Sequence, residues 1–432
     1  MASVAPTTAI FAARGLLDGA RTVSEALPAL RARVGGTGES LAACGADGVL
    51  ATVPEDSRRP GPDLRVIGGA ALVRAGGRGQ VLFLDRAGPL AVAVDGRATN
   101  AGVLTRALVQ RGAVFTGLEP AELLVHLMAQ SEQRTLMNRL VDAIRRMEGG
   151  FSIVAMTAEL MVGVRDLRGI RPLCLGRRGA GWALASESSV LRASGVTWER
   201  EVAPGEVLVV GAPGVESLRP FGRESARPCA AEWLGAAGPD AGVGGVDVIA
   251  VGERVGVALA KEFPVRGDVV VPLPGSEALA AGFSAGSGLR LLPALVVDGG
   301  QARASNAVRG LRCALVVNLL ATGERTRRAV AALRAAGASE VHVRLGALPL
   351  IAGCLYGVAT PPEEDLLARR FEIPRMRSWL DADSLAHPER APMLACAGVT
   401  PNTACDGCFS GEYPVVPLDP QVPLFPKPGA VW

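Results

Sequence analysis

Residues 149–178 read GGFSIVAMTAELMVGVRDLRGIRPLCLGRR, followed by WALASESSVL (182–191) and REVAPGEVLVV (200–210). FSIVAMT, LMVGVRD and GEVLVVG are rich in β-branched residues and bounded by Gly or Asp, so each reads as a short strand. Just upstream, LAVAVDG (90–96) reads the same way. Between Glu119 and Met147 the spacing changes. Leu123, Leu124, Leu127, Leu140 and Ile144 recur at helical intervals. Many strands around a few helices predict a layered α+β domain over residues 26–215. The first 25 residues have no clear periodicity and read as a leader, and residues 216–243, rich in Gly, Pro and Ala, as a linker.

The pattern then shifts. VIAVGERVGVALAKEF (248–263) reads as a strand running into a helix, DVVVPLPGS (268–276) as a buried strand and loop, and ALAAGFSAGSG (278–288) as a helix. CALVVNLLATG, TRRAVAALRAAGA and EVHVRLG form a strand–helix–strand unit, with Ala329, Leu333 and Ala336 on one helix face and Gly337 as its stop. Such units build a parallel sheet with helices on its faces, here expected over residues 244–365. Residues 366–432 are Pro-rich and read as a tail wrapped on the body.

A chain of 432 residues exceeds one ordinary core. Its net charge of +3 offers no strong field for nucleic acid or a membrane surface, and its 4% aromatic content is too low for base-stacking platforms. The N-terminal apolar stretch is interrupted by Arg14 and Asp18, unlike a signal peptide. No apolar run approaches the roughly 18 residues of a membrane span. These features predict a cytoplasmic protein with neither nucleic acid nor membrane as partner. Eight cysteines in that compartment point away from a disulfide framework.

Three blocks carry a family resemblance. In the first, Arg165, Asp166, Gly169, Arg171, Pro172, Ala185, Ser186, Glu187, Pro204, Gly205 and Glu206 match the glutaminase half of the glutamine phosphoribosylpyrophosphate amidotransferases. AGASEVHVRLGALPLIAGCLYGV (336–358) resembles the strand after that family's phosphoribosyl-binding helix, and ACDGCFSGEYPV (404–415) its closing motif. The resemblance implies an N-terminal-nucleophile hydrolase-like α+β domain followed by a type I phosphoribosyltransferase-like α/β domain with a C-terminal tail. In active members the first releases ammonia from glutamine. The second transfers it to phosphoribosylpyrophosphate, opening purine synthesis.

Neither implied catalytic centre has its expected residues. The family's nucleophile is an exposed N-terminal cysteine whose α-amino group is the base. Here the chain begins Met-Ala-Ser-Val; Ser3, or Cys44 followed by Gly45, would need unusual processing. The family's His-Asn-Gly-Asn aligns with Val94, Asp95, Gly96 and Arg97. A carboxylate at position 95 cannot donate to a developing oxyanion, and its charge repels one. The substrate-reading Asp falls at Pro120, with Glu122 nearby. Arg171 remains, equally suited to ligand contact and to pinning a turn.

In the second domain the implied ribose-binding acids and phosphate loop align with Val317, Asn318, Leu319, Leu320, Ala321, Thr322, Gly323, Glu324 and Arg325. Neither acid is present, and Glu324 sets negative charge where a phosphate would sit. The pyrophosphate and metal loop has become Pro274-Gly275-Ser276, and the stretch that would close over substrate is short. Thr322 and Gly323 could still hold a small anion, or simply belong to a packing turn. Bound Mg²⁺ is not expected.

Four cysteines, in contrast, match the iron–sulfur members' ligands: Cys229, Cys354, Cys405 and Cys408. Four soft thiolates suit a [4Fe–4S] cluster; zinc, and inherited thiols without metal, are the alternatives. Cys44, Cys174, Cys313 and Cys396 read as buried apolar residues. The leading expectation is a non-catalytic, cluster-bearing relative that acts as a scaffold or regulatory partner, binding another protein or forming a homo-oligomer. An enzyme of altered substrate and an iron–sulfur redox sensor are the other two.

Overall fold

The computed structural model describes residues 5–6, 9–16, 19–34, 39–44, 50–53, 71–75, 82–86, 88–117, 119–222, 224–298 and 300–417. The chain forms two compact units. One is built mainly of Pro6–Pro228 with Leu355–Val358, the other of Cys229–Cys354 with Ala359–Tyr413.

The amino-terminal unit has two sheets. Its elements in chain order are β1 (Ala9–Arg14), α1 (Gly19–Val34), β2 (Glu39–Cys44), β3 (Leu50–Val53), β4 (Ala71–Ala75), β5 (Leu82–Asp85), β6 (Gly88–Ala98), α2 (Ala101–Gln110), α3 (Pro120–Ala129) and α4 (Leu136–Arg146). They continue with β7 (Gly149–Met156), β8 (Met161–Arg165), β9 (Cys174–Arg178), β10 (Gly181–Ala185), α5 (Ser188–Ala193), β11 (Thr197–Glu201), β12 (Val207–Gly211) and β13 (Gly214–Leu218). One sheet has seven strands in the order β11-β9-β10-β1-β4-β2-β3; the other has six, β13-β12-β8-β7-β6-β5.

Alternation of side chains sorts the layers. Ile10 and Ala12 of β1 meet Ala91 and Ala93 of β6, Val154 and Leu184 in a core between the sheets. Ala9, Phe11 and Ala13 turn the other way onto Ala26 and Leu30 of α1. Val92 and Val94 turn outward onto Leu124, Leu127 and Ile144 of α3 and α4. Each such strand is covered on both faces, which is why its sequence is a continuous apolar run with no polar alternation.

The expected leader therefore contains a structural strand. β1 hydrogen-bonds to β10 on one side and β4 on the other, and Ala9 to Ala13 are fully buried. Its shortness and Ala content hid it. Part of the expected linker is also structured. Gly214–Leu218 pairs with β12, and Trp233 is buried with its indole N–H donating to Val243 O at 2.8 Å.

The second unit contains α6 (Val248–Glu262), β14 (Val269–Pro272), α7 (Glu277–Ser287), β15 (Arg290–Leu291), the hairpin β16 (Leu295–Asp298) and β17 (Gln301–Ala304), β18 (Arg312–Val317), α8 (Glu324–Ala335), β19 (Glu340–Leu345), α9 (Leu367–Arg370), α10 (Ile373–Trp379) and β20 (Ser384–Ala386). Its main sheet has the order β15-β14-β18-β19-β20, every pair parallel. Residues 248–251, read as a strand, are the first turn of α6, capped by the Asp247 carboxylate accepting from Ala250 N. Helices α6 and α7 meet through glycines: a Cβ on Gly256 would stand 2.1 Å from Leu279 O. The expected tail contributes to this core, with Leu367, Met376 and Leu380 packed under α8 and β18–β19 residues. Each segment of it is too short to show a period of its own.

Candidate functional site

In the amino-terminal unit the motif residues are set by two neighbouring strands. Asp95 lies in β6 opposite Ser152 of β7, and the RDLRGIRPL turn follows β8. That turn is organised by Asp166, whose carboxylate accepts from the N–H groups of Arg168, Ile170 and Arg171 at 3.0, 3.1 and 3.0 Å. Burial pushes the Asp166 pKa up, and those N–H groups and Arg165 oppose the rise. The turn delivers the Arg171 guanidinium to Asp95. Nη2 donates to Oδ1 at 2.8 Å, and both side chains are fully buried. Arg171 is thus paired with this carboxylate.

Gly96 follows with φ +112°, and a Cβ there would stand 2.3 Å from Gly150 O, so no other residue fits. Val94 faces the helix-side core, while Arg97 is partly exposed near the end of β6. Pro120 opens α3 at its first turn. Glu122 is committed locally: it accepts from Thr116 Oγ at 3.0 Å and Gly117 N at 2.9 Å. Cys44 ends β2, and cutting the chain before it would remove β1 from the middle of its sheet. That sets aside Cys44 as a processed N-terminus. Ser3 lies outside the described residues.

In the second unit the strand order reverses between β14 and β18. A ligand crevice is expected at the carboxyl ends of such strands. A cavity of about 200 Å³ lies there, between the loops 273–276 and 317–323. The two loops are tied together. Asn318 N donates to Ser276 Oγ at 3.0 Å, Asn318 Nδ2 to Gly275 O at 2.7 Å, and Arg325 Nη2 to Pro274 O at 2.5 Å. Two backbone donors that could meet an anion already have partners: Gly275 N bonds Glu277 Oε1 at 2.9 Å, and Glu324 N bonds Thr322 Oγ1 at 3.4 Å. Gly323 has φ +79°, and a Cβ on it would strike Leu367 and Trp379. Val317 is buried at the end of β18, and Glu324 is exposed in the first turn of α8. No carboxylate is found among the described residues lining this cavity.

The four matched cysteines belong to the second unit and converge. Cys229 and Cys405 form a parallel backbone bridge, with Ala230 N donating to Cys405 O at 2.8 Å. Cys408 O accepts from Ile351 N at 2.9 Å, which brings the 404–410 segment against the chain leading to Cys354. The thiols sense one another. Burial first, then the neighbouring Cys229 and Cys354 sulfurs, push Cys405 and Cys408 well above the ordinary thiol range. Tyr413 O–H, donating to Gly353 O, is pushed up by burial and by Cys408, Cys354 and Cys405. Among the described residues, no three His, Cys, Asp or Glu side chains stand close enough to grip a single ion. Cys174 and Cys313 are buried and pushed up to about 12 and about 11, largely by desolvation, as expected of structural thiols.

No helix among the described residues is long and apolar enough to cross a membrane.

The sequence model of the glutamine amidotransferase domain matches residues 71–193. Amidophosphoribosyltransferase 1, chloroplastic, of Arabidopsis thaliana is 34% identical over 359 residues, covering 78% of this chain. The chain spans only 63% of that protein's length. The Rhizobium etli amidophosphoribosyltransferase is 32% identical over 373 residues, with 79% of this chain and 75% of the relative covered. Among solved structures, glutamine phosphoribosylpyrophosphate amidotransferase from B. subtilis, complexed with ADP and GMP, superposes with a TM-score of 0.87 at 26% identity. That match covers 94% of this chain and 97% of the other.

Proposed function

This chain belongs to the amidophosphoribosyltransferase family, and from that premise we propose that it retains the family scaffold without the family's turnover. In this reading it is a cytoplasmic, cluster-bearing scaffold or regulatory partner in purine biosynthesis, working through another protein or as a homo-oligomer. The observation that carries the reading is the Asp95–Arg171 pair. Position 95 holds a carboxylate acceptor, neutralised by Arg171, where glutamine hydrolysis calls for a neutral hydrogen-bond donor. Loss of one such donor costs about 10²–10³ in kcat in hydrolases that use it.

The second unit supports the same conclusion. A phosphoribosylpyrophosphate site handles its metal through carboxylates and phosphates. The switch-point cavity lacks the former among its described lining residues, and Asn318 and Arg325 brace its two loops.

Cys229, Cys354, Cys405 and Cys408 are the residues that would hold a [4Fe–4S] group. When bound, such a group would tie the 404–410 segment to Cys229 and to the chain around Cys354, or take up and release an electron. The residues themselves contribute three buried thiols and the half-buried Cys354, which must lose their protons to act as ligands.

Incubation with glutamine or ammonia, phosphoribosylpyrophosphate and Mg²⁺ is the direct test. No phosphoribosylamine above background is expected. Turnover that disappears on substituting Asn318 or Asp95 would overturn the proposal. The surviving cavity favours one second reading, an enzyme with an altered phosphoribosyl or amide substrate. A ligand ordered between Asn318 and Arg325 would support that reading instead.

A further inference from the structure

Away from both ancestral centres, the edge of the parallel sheet places three reactive side chains in a row. Glu340 and His342 share one face of β19 by the two-residue strand period, and the register sets Ser384 of β20 directly opposite His342. His342 Nδ1 lies 2.9 Å from Ser384 Oγ, and His342 Nε2 lies 2.9 Å from Glu340 Oε2. Arg344, next on the same face, donates from Nη1 to Ser384 Oγ at 2.9 Å.

The partners constrain the proton positions. The Glu340 carboxylate can only accept, so Nε2 carries the hydrogen given to it. In the neutral ring Nδ1 is then the acceptor nitrogen, open to the Ser384 hydroxyl, whose oxygen accepts from Arg344. The ring is held between a hydroxyl and a carboxylate in the tautomer a general base requires. Arg344 is itself held, donating to Phe263 O at 2.9 Å and Val343 O at 3.0 Å, with its pKa pushed down to about 10 by burial. A fixed cation against Oγ favours developing negative charge there. The row reaches solvent: the Glu340 side chain is 46% exposed, and Ser384 is only partly buried.

We propose that Ser384, His342 and Glu340 form a nucleophilic relay, with Arg344 poised beside the serine oxygen, that takes up acyl groups from small activated esters. Ser384 Oγ bonds to the acyl carbon as its proton passes to His342 Nδ1. The carbon–oxygen bond to the alcohol breaks, and His342 returns the proton to the departing alcohol. Water, activated by the same imidazole, then frees the acid and regenerates the hydroxyl. Ser384 and His342 touch the reacting atoms; Glu340 is a positioning residue.

The test treats the full-length protein with a fluorophosphonate probe. Attack by Ser384 Oγ on phosphorus would expel fluoride, and peptide mass spectrometry locates the adduct. The expected result is a stable adduct on Ser384, formed about 100-fold more slowly in His342→Gln. Glu340→Gln, at a half-exposed position where folding is not at stake, should also slow labelling, and Glu340→Asp should recover part of the rate. Hydrolysis of p-nitrophenyl acetate should fall in parallel in Ser384→Ala. An unmodified Ser384 in folded protein, adducts only at other serines, or equal labelling rates in wild type and both Gln variants would each overturn the proposal.

Discussion

Arg171 and Asp95, 76 residues apart in sequence, form a fully buried ion pair with Nη2 donating to Oδ1 at 2.8 Å. The pair joins β6 to the turn after β8. Its geometry underlies the first prediction. Removing one partner of a buried pair leaves the other charge unpaired, at a cost of about 3–5 kcal/mol. Asp95→Ala should lower unfolding stability by that order in urea titrations. Asp95→Asn, which keeps the side-chain shape and removes the charge, should on the proposed reading remain without glutaminase activity. Measurable ammonia release by Asp95→Asn would break the argument.

The braced cavity makes a second prediction. Titration calorimetry with phosphoribosylpyrophosphate should give no binding heat, and adding Mg²⁺ should change nothing, because the described cavity lining offers the metal no carboxylate. A Mg²⁺-dependent heat would contradict this account of the site.

The converging thiols can be tested by composition. Protein purified without oxygen should contain iron and acid-labile sulfide in near-equal amounts, with a visible charge-transfer band. Cys408→Ser should lose both. Cys396→Ser, at a position outside the matched set, should keep them. Colourless wild-type protein containing zinc would refute the cluster assignment.

Acid sensitivity should follow Glu206. Burial alone would raise its pKa, but Arg200 at 2.7 Å, the Ser217 hydroxyl and Ala203 N–H outweigh that and hold it at about 2, against an ordinary 4.5. A depressed folded-state pKa stabilises the fold above the unfolded carboxyl's range, and this contribution disappears as pH falls from 4.5 towards 2. Glu206→Gln should therefore be less stable than wild type at pH 7, with the gap narrowing on acidification. Urea midpoints measured across that range would decide it. A constant gap would mean that Glu206 acts through packing alone.

Helix packing offers a last prediction. A methyl on Gly256 would collide with Leu279 O and Phe283 N, which are backbone atoms of α7 and cannot step aside. Gly256→Ala should cost about 1–3 kcal/mol, the usual range for overpacking, despite the better helix propensity of Ala. Equal or raised thermal stability would show that α6 and α7 can separate freely.

Much of this was present in local patterns. The runs FSIVAMT, LMVGVRD and CALVV became strands because apolar, β-branched segments bounded by Gly and Asp fit a buried sheet. Other features were not visible there. Ala9–Arg14 carried too weak a signal to separate from a leader, since an Ala-rich segment becomes a strand only when neighbours supply the ladder on both sides.

The sequence by itself determined the two fold classes and the family. Only tertiary structure decided what individual residues do: that Asp95 meets Arg171, that Asn318 braces Gly275, and that His342 lies between Ser384 and Glu340. Periodicity is a property of neighbours along the chain. Partners drawn from distant segments are chosen by register and packing, which no local pattern encodes.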